Sequence, residues 1–130
     1  MVVMSLIAIL SSLAMGNFLN AQKRGRDVRR QSDLSQYRVA LENYSSVNAG
    51  VYPVVTGVAN TVLATPLANY MSGFPADPKT TTYRYASDGS VYVLDACMEI
   101  SSKLFEMCSN GKSGTTALAC TAARNTSCDL

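Results

Sequence analysis

The first nineteen residues, MVVMSLIAILSSLAMGNFL, carry no charge and place only short polar side chains among apolar ones. At 1.5 Å per residue such a run makes roughly 28 Å of helix, close to the ~30 Å of a bilayer core. Small residues recur through it (Ser5, Ala8, Ser11, Ser12, Ala14, Gly16), and small residues let apolar helices approach closely. From Gln31 the pattern changes. Leu34, Tyr37, Leu41, Tyr44 and Val47 recur three and four apart as one apolar stripe, with Asp33, Gln36, Arg38, Glu42 and Asn43 elsewhere. No Pro or Gly falls between Arg26 and Asn48, and Asn48-Ala49-Gly50 supplies a stop, with Gly50 suited to a left-handed cap. The spacing predicts one helix from Met1 to about Asn48, roughly 70 Å long. Its stripe packs on its own domain, and its apolar half needs lipid or other subunits to bury it.

Beyond the helix the pattern shortens. Val51 to Thr82 reads as a connection, with a short helix over Thr65–Met71 started by Thr65 and Pro66, and a loop over Gly73–Pro78. Thr82–Ala86 and Ser90–Leu94 alternate on either side of Asp88-Gly89, a hairpin signal. Tyr83, Tyr85, Tyr92 and Leu94 then share a face, set against the helix stripe, and Leu104–Cys108 adds a third strand. The organisation is α+β in three parts: an apolar helix over 1–22, its amphipathic continuation over 23–48, and a β head over 49–130.

Charge divides the chain unevenly. Lys23, Arg24, Arg26, Arg29 and Arg30, with one acid, Asp27, form a basic collar. After Arg30 there are six basic and eight acidic residues, a body of about −2 beneath the formal +2 of the whole. A collar after the apolar run is not the layout of a cleaved secretory signal. On an ordinary anchor it would hold that flank in the cytoplasm, which conflicts with a disulfide-bonded body outside. A start further upstream, with its own basic leader, removes the conflict.

The chain has no histidine, which excludes Ser-His-Asp and Cys-His nucleophiles and the commonest metal ligand. Cys97, Cys108, Cys120 and Cys128 fall in the last 34 residues with no C-x-x-C pair, so two disulfides in an oxidising compartment are expected rather than zinc. Spacing leaves the pairing open. Cys97–Cys108 with Cys120–Cys128 is preferred over the nested Cys97–Cys128 with Cys108–Cys120. No nucleotide loop, haem motif or EF-hand occurs, so neither cofactor, metal site nor catalytic residue is assigned. Asp77, Asp88, Asp95, Glu99 and Asp129 read as scattered, solvated acids. Asn43-Tyr44-Ser45 and Asn125-Thr126-Ser127 are glycosylation sequons, with Asn125 the better candidate in an exposed loop.

Four motifs together resemble the type IV pilins and the type II secretion pseudopilins. These are Gly16-Asn17-Phe18-Leu19 closing the apolar segment, the basic stretch Lys23–Arg30, the helix Asp33–Tyr44 with its Ala40-Leu41-Glu42-x-Tyr44 core, and Gly50-Val51-Tyr52-Pro53. The resemblance is specific over 2–53, looser to about residue 98, and does not extend through the cysteine-rich tail. Gly16 stands where that family usually has proline, and either residue weakens helix there. Registered on Asn17-Phe18, Met1 falls just after the family's mature N-terminal hexapeptide, so upstream residues are expected.

The resemblance implies a pilin fold and a structural, non-enzymatic subunit of an extracellular filament serving adhesion, motility or DNA uptake. The alternative is a pseudopilin of a secretion or competence system. The cysteines and lone Asp129, where major pseudopilins carry a calcium loop, favour the pilus. Val2, Val3, Leu6, Ile7, Ile9, Leu10, Leu13, Phe18 and Leu19 are the expected assembly residues, and the helix is expected to loosen near Gly16. Implied partners are further copies of the chain in a helical homo-oligomer, the cytoplasmic membrane before assembly, the pilus assembly machinery and a prepilin peptidase. DNA binding by the collar is disfavoured, since no aromatic side chain interleaves with its charges.

Overall fold

The computed structural model of the chain describes residues 2–123 and 126–130, and within the first helix the side chains of Ala8 and residues 10–17 are not described. Helix α1 spans Val2–Val47, 46 residues and about 70 Å, and it runs without interruption through Gly16. Its end is closed by backbone. The Gly50 N–H donates to Ser45 O at 2.9 Å, and the Asn48 side chain donates to Tyr44 O. Both Ala49 and Gly50 take positive φ, 56° and 80°, so the chain leaves the helix through two left-handed residues rather than one.

Five strands follow: β1 (Thr56–Val58), β2 (Arg84–Ser87), β3 (Tyr92–Cys97), β4 (Lys103–Cys108) and β5 (Ser113–Ala119), with a short helix α2 (Ala59–Val62) after β1. They form one antiparallel sheet in chain order. The expected hairpin is present, shifted by about two residues. Ser87 pairs with Tyr92, leaving a loop of Asp88 to Val91 rather than a two-residue turn. Asp88 Oδ1 accepts from the N–H groups of Ser90 and Val91 and from Ser90 Oγ, which holds the longer loop, and Gly89 supplies φ of 100°. The helix expected over Thr65–Met71 does not form. That stretch is a series of turns bonded back to Leu63 and Leu67. The short β1, and β5 (SGTTALA) with its few large apolar residues, carry little pattern.

One face of the sheet packs on α1. Tyr85 pairs with Leu94, which pairs with Met107, and with Tyr83 and Tyr92 they close over Leu34, Tyr37 and Leu41. Leu34, Tyr37, Leu41, Tyr85, Tyr92 and Leu94 are fully buried, each contributing about 1.5–3 kcal/mol. Val47, expected to end the stripe, is 73% exposed, and Ser45 is buried instead.

The other face carries a row of charge, Arg84 opposite Asp95 opposite Glu106, beneath the C-terminal tail. Arg84 pairs with Asp95 and donates to Ala122 O, and the Asp129 N–H donates to Glu106. Two disulfides pin the tail, Cys97–Cys120 and Cys108–Cys128. This corrects the expected pairing of Cys97 with Cys108 and Cys120 with Cys128, and the nested alternative as well. Cys97 sits opposite Leu104 while Cys108 sits opposite Val93, four residues apart along the ladder. That is about 13 Å, beyond the ~7 Å limit on Cα separation in a disulfide. Cys120 instead follows Ala119, whose partner Lys103 neighbours Leu104, and its Cα lies 5.2 Å from that of Cys97.

Candidate functional site

The polar residues of α1 between Lys23 and Glu42 divide by direction. Those phased with the apolar stripe turn into the head. Arg30, four residues before Leu34, is 1% exposed. Its guanidinium is bonded by Asp27, by both oxygens of Asp77 and by Glu99. Arg26 adds a two-bond fork onto Glu99, at 2.7 Å each, and Lys79 approaches the same carboxylate at 3.7 Å. Asp27 also accepts the N–H groups of Glu99 and Ile100, gripping the turn between β3 and β4. Further along, Asp33 accepts from the Tyr83 hydroxyl, and Glu42 from those of Tyr52 and Tyr92.

This clamp revises two expectations. Asp77, Asp95 and Glu99 are bound in ion pairs and not freely solvated, whereas Asp88 and Asp129 are exposed. The basic collar is also only partly a surface feature, because Arg26 and Arg30 are engaged by carboxylates of the head. The Arg26 bond, aided by Arg30, holds the Glu99 carboxyl down to about 2. Burial pushes Asp77 up, but its bonds to Arg30 and the Lys79 N–H outweigh burial and leave it below the usual range. The sequence signal was available: Asp27, Arg30, Leu34, Tyr37 and Leu41 continue one three-and-four spacing.

The opposite face of α1 is different. Ala21, Gly25, Val28, Ser32, Ser35, Val39, Asn43 and Ser46 follow the same spacing on the side away from the sheet, and all are exposed. No charged residue lies in that row. The nine charges of α1 (Lys23, Arg24, Arg26, Asp27, Arg29, Arg30, Asp33, Arg38, Glu42) all lie outside it. A helix face that stays in water ordinarily carries the charge. Towards the N-terminus the same row continues in sequence through Phe18, Ala14, Leu10, Ile7 and Val3.

Of the expected assembly residues, Val2, Val3, Leu6, Ile7, Ile9, Phe18 and Leu19 are each more than half exposed, between 55% and 72%. The side chains of Leu10 and Leu13 lie outside the described residues, as does the sequon residue Asn125. Among the described residues no helix is long and apolar enough to cross a membrane. A cleft of about 700 Å³ lies between α1 and residues 70–75 beside Arg29, Gln36, Val39 and Phe74. Glu106, Cys108 and Cys128 come close together, but both sulfurs are spent in a disulfide and cannot act as thiolate ligands.

No protein-family model, no curated protein and no solved structure matches this chain.

Proposed function

We propose that this chain is the structural subunit of an extracellular helical filament with a type IV pilin-like fold, assembled by bundling α1 against α1 of neighbouring copies. The observation that carries the reading is the uncharged outer face of α1. It runs over 26 residues, from Ala21 to Ser46, and continues into the exposed apolar segment. The clamp accounts for the charges turned toward the head, but nothing in a lone subunit requires the exposed positions of this row to be free of charge. A subunit whose outer helix face meets other helices avoids burying unpaired charge, which is costly. The apolar side chains of Val2–Leu19, at roughly 25 cal/mol per Å² of area removed from water, supply the drive. Lipid holds the segment in the stored monomer and neighbouring helices hold it in the polymer, with loosening near Gly16 a property of the packed bundle. With Arg26 and Arg30 bound to head carboxylates, the collar has less to offer a phosphate backbone.

The test is electron microscopy of material sheared from cells that express the subunit, beside Ile9→Asp and Val39→Glu variants. Both variants are expected to abolish filaments while the purified chain keeps its disulfides and its thermal transition, since neither side chain packs in the sheet core. Normal filaments from both would remove the assembly role assigned to α1.

A further inference from the structure

Glu106 is a buried acid without a counter-ion. It is 3% exposed, and none of the ion pairs among the described residues includes it. Buried carboxylates are ordinarily paired. It accepts one backbone N–H, that of Asp129, at 3.2 Å. Asp95 stands opposite it on β3 and Gly114 on β5. Arg84 lies one strand further out and pairs with Asp95. The tail brings the exposed Asp129, and Lys112 donates to Leu130 O instead. Burial pushes the Glu106 carboxyl up, Asp129 and Asp95 add to this, and the Asp129 N–H and Arg84 oppose it.

What Glu106 does face is sulfur. It shares a face of β4 with Cys108, and one of its oxygens lies within 4.8 Å of both Cys108 Sγ and Cys128 Sγ. The two sulfurs differ in access. Cys108 is 1% exposed and sits opposite buried Val93, whereas Cys128 is part-exposed in the tail. An outside thiolate therefore reaches Cys128 Sγ, and the electron pair of the broken S–S bond goes to Cys108.

From this geometry we propose that Glu106 gates the Cys108–Cys128 disulfide, its carboxylate opposing the thiolate that Cys108 must become when a small thiol attacks Cys128. With a dithiol, the first thiolate bonds to Cys128 Sγ and Cys108 leaves as a thiolate, which then takes a proton. The second thiolate of the reagent attacks its own bonded sulfur and releases Cys128. Two electrons pass from the dithiol, which ends as a cyclic disulfide, to the two cysteines. A like charge close by, in surroundings drier than water, makes Cys108 a poor leaving group. Once Glu106 holds a proton the effect reverses, because the acid then donates to the forming thiolate. The gate is separate from the filament reading.

Dithiothreitol is the probe, acting on the full-length chain in detergent. Opened cysteines are trapped by alkylation and counted by peptide mass mapping, and rates are divided by the reagent's thiolate fraction. Among the described residues no acid gathers with Cys97 and Cys120 in this way, so that pair is the reference. Glu106→Gln keeps an oxygen for the Asp129 N–H. At about pH 8 it is expected to open Cys108–Cys128 at least tenfold faster and Cys97–Cys120 at an unchanged rate. From about pH 8 down to about pH 5 the wild-type rate per thiolate should climb at Cys108–Cys128, while the variant's stays level. Equal or slower opening in the variant overturns the gate. So does a gain shared by both disulfides, which marks a loosened tail. If the variant does not fold, the wild-type profile decides: a climb confined to Cys108–Cys128 upholds the gate, and a level rate overturns it.

Discussion

Two halves of one helix obey different rules. From Lys23 to Val47 α1 is organised by what it touches: Leu34, Tyr37 and Leu41 pack on the sheet, and Arg30 is buried at 1% exposure among three carboxylates. From Val2 to Gln22 the apolar side chains described stay exposed to solvent. Backbone hydrogen bonds are the same in both, so helicity does not distinguish them. The head-bound half owes its position to the packing of Leu34, Tyr37 and Leu41 and to the clamp. The other half has no counterpart in the described structure, and its composition suits an environment the single chain does not provide.

The sharpest way to break this comparison is at the clamp. Arg30→Ala leaves Asp27, Asp77 and Glu99 buried or half-buried without their shared cation. A loss of about 3–5 kcal/mol is expected, read as an earlier urea midpoint of the head. A loss under 1 kcal/mol would mean that the clamp contributes little to holding the helix. Next is the tail. Replacing Cys108 and Cys128 together by Ser should cost about 2–4 kcal/mol. Peptide mapping of the unreduced chain should show Cys97 linked to Cys120, and a Cys97–Cys108 peptide would refute the sheet register. Smaller again is Gly89→Val. Its φ of 100° and the nearby Val54 both oppose a branched side chain, so about 1–3 kcal/mol should be lost, seen in thermal melting. An unchanged transition would show that the loop tolerates a side chain there.

The mildest probe is pH. Glu99, held at about 2 in the fold against an ordinary 4.5, is ionised more readily folded than unfolded. Its contribution is complete above roughly pH 5 and is lost as pH falls from about 4.5 through 2, with Asp77 acting in the same direction. At the other extreme, burial raises Tyr37, Tyr83, Tyr85 and Tyr92. They favour the fold below pH 10, and that contribution is lost as pH climbs above it. The urea midpoint should therefore decline on both sides of a neutral plateau. A midpoint flat from pH 5 to 2 in the wild type, but sloping in Glu99→Gln, would invert the assignment.

Local pattern alone determined much of this chain: the long helix, its stop at Gly50, the stripe of Leu34, Tyr37 and Leu41, and the hairpin around Asp88-Gly89. These follow from side-chain period and backbone preference, which act within a few residues. Tertiary structure decided the rest. The cysteine pairing depends on which strand ends lie side by side, and spacing along the chain does not carry that. The fate of Arg30 depends on Asp77 and Glu99, 47 and 69 residues away in sequence. A charge in phase with an apolar stripe reads as a collar until distant carboxylates arrive to make its burial tolerable. The uncharged outer face of α1 lies between the two. Its residues stand in the sequence at regular spacing, but only the position of the sheet shows which side of the helix was left facing outward.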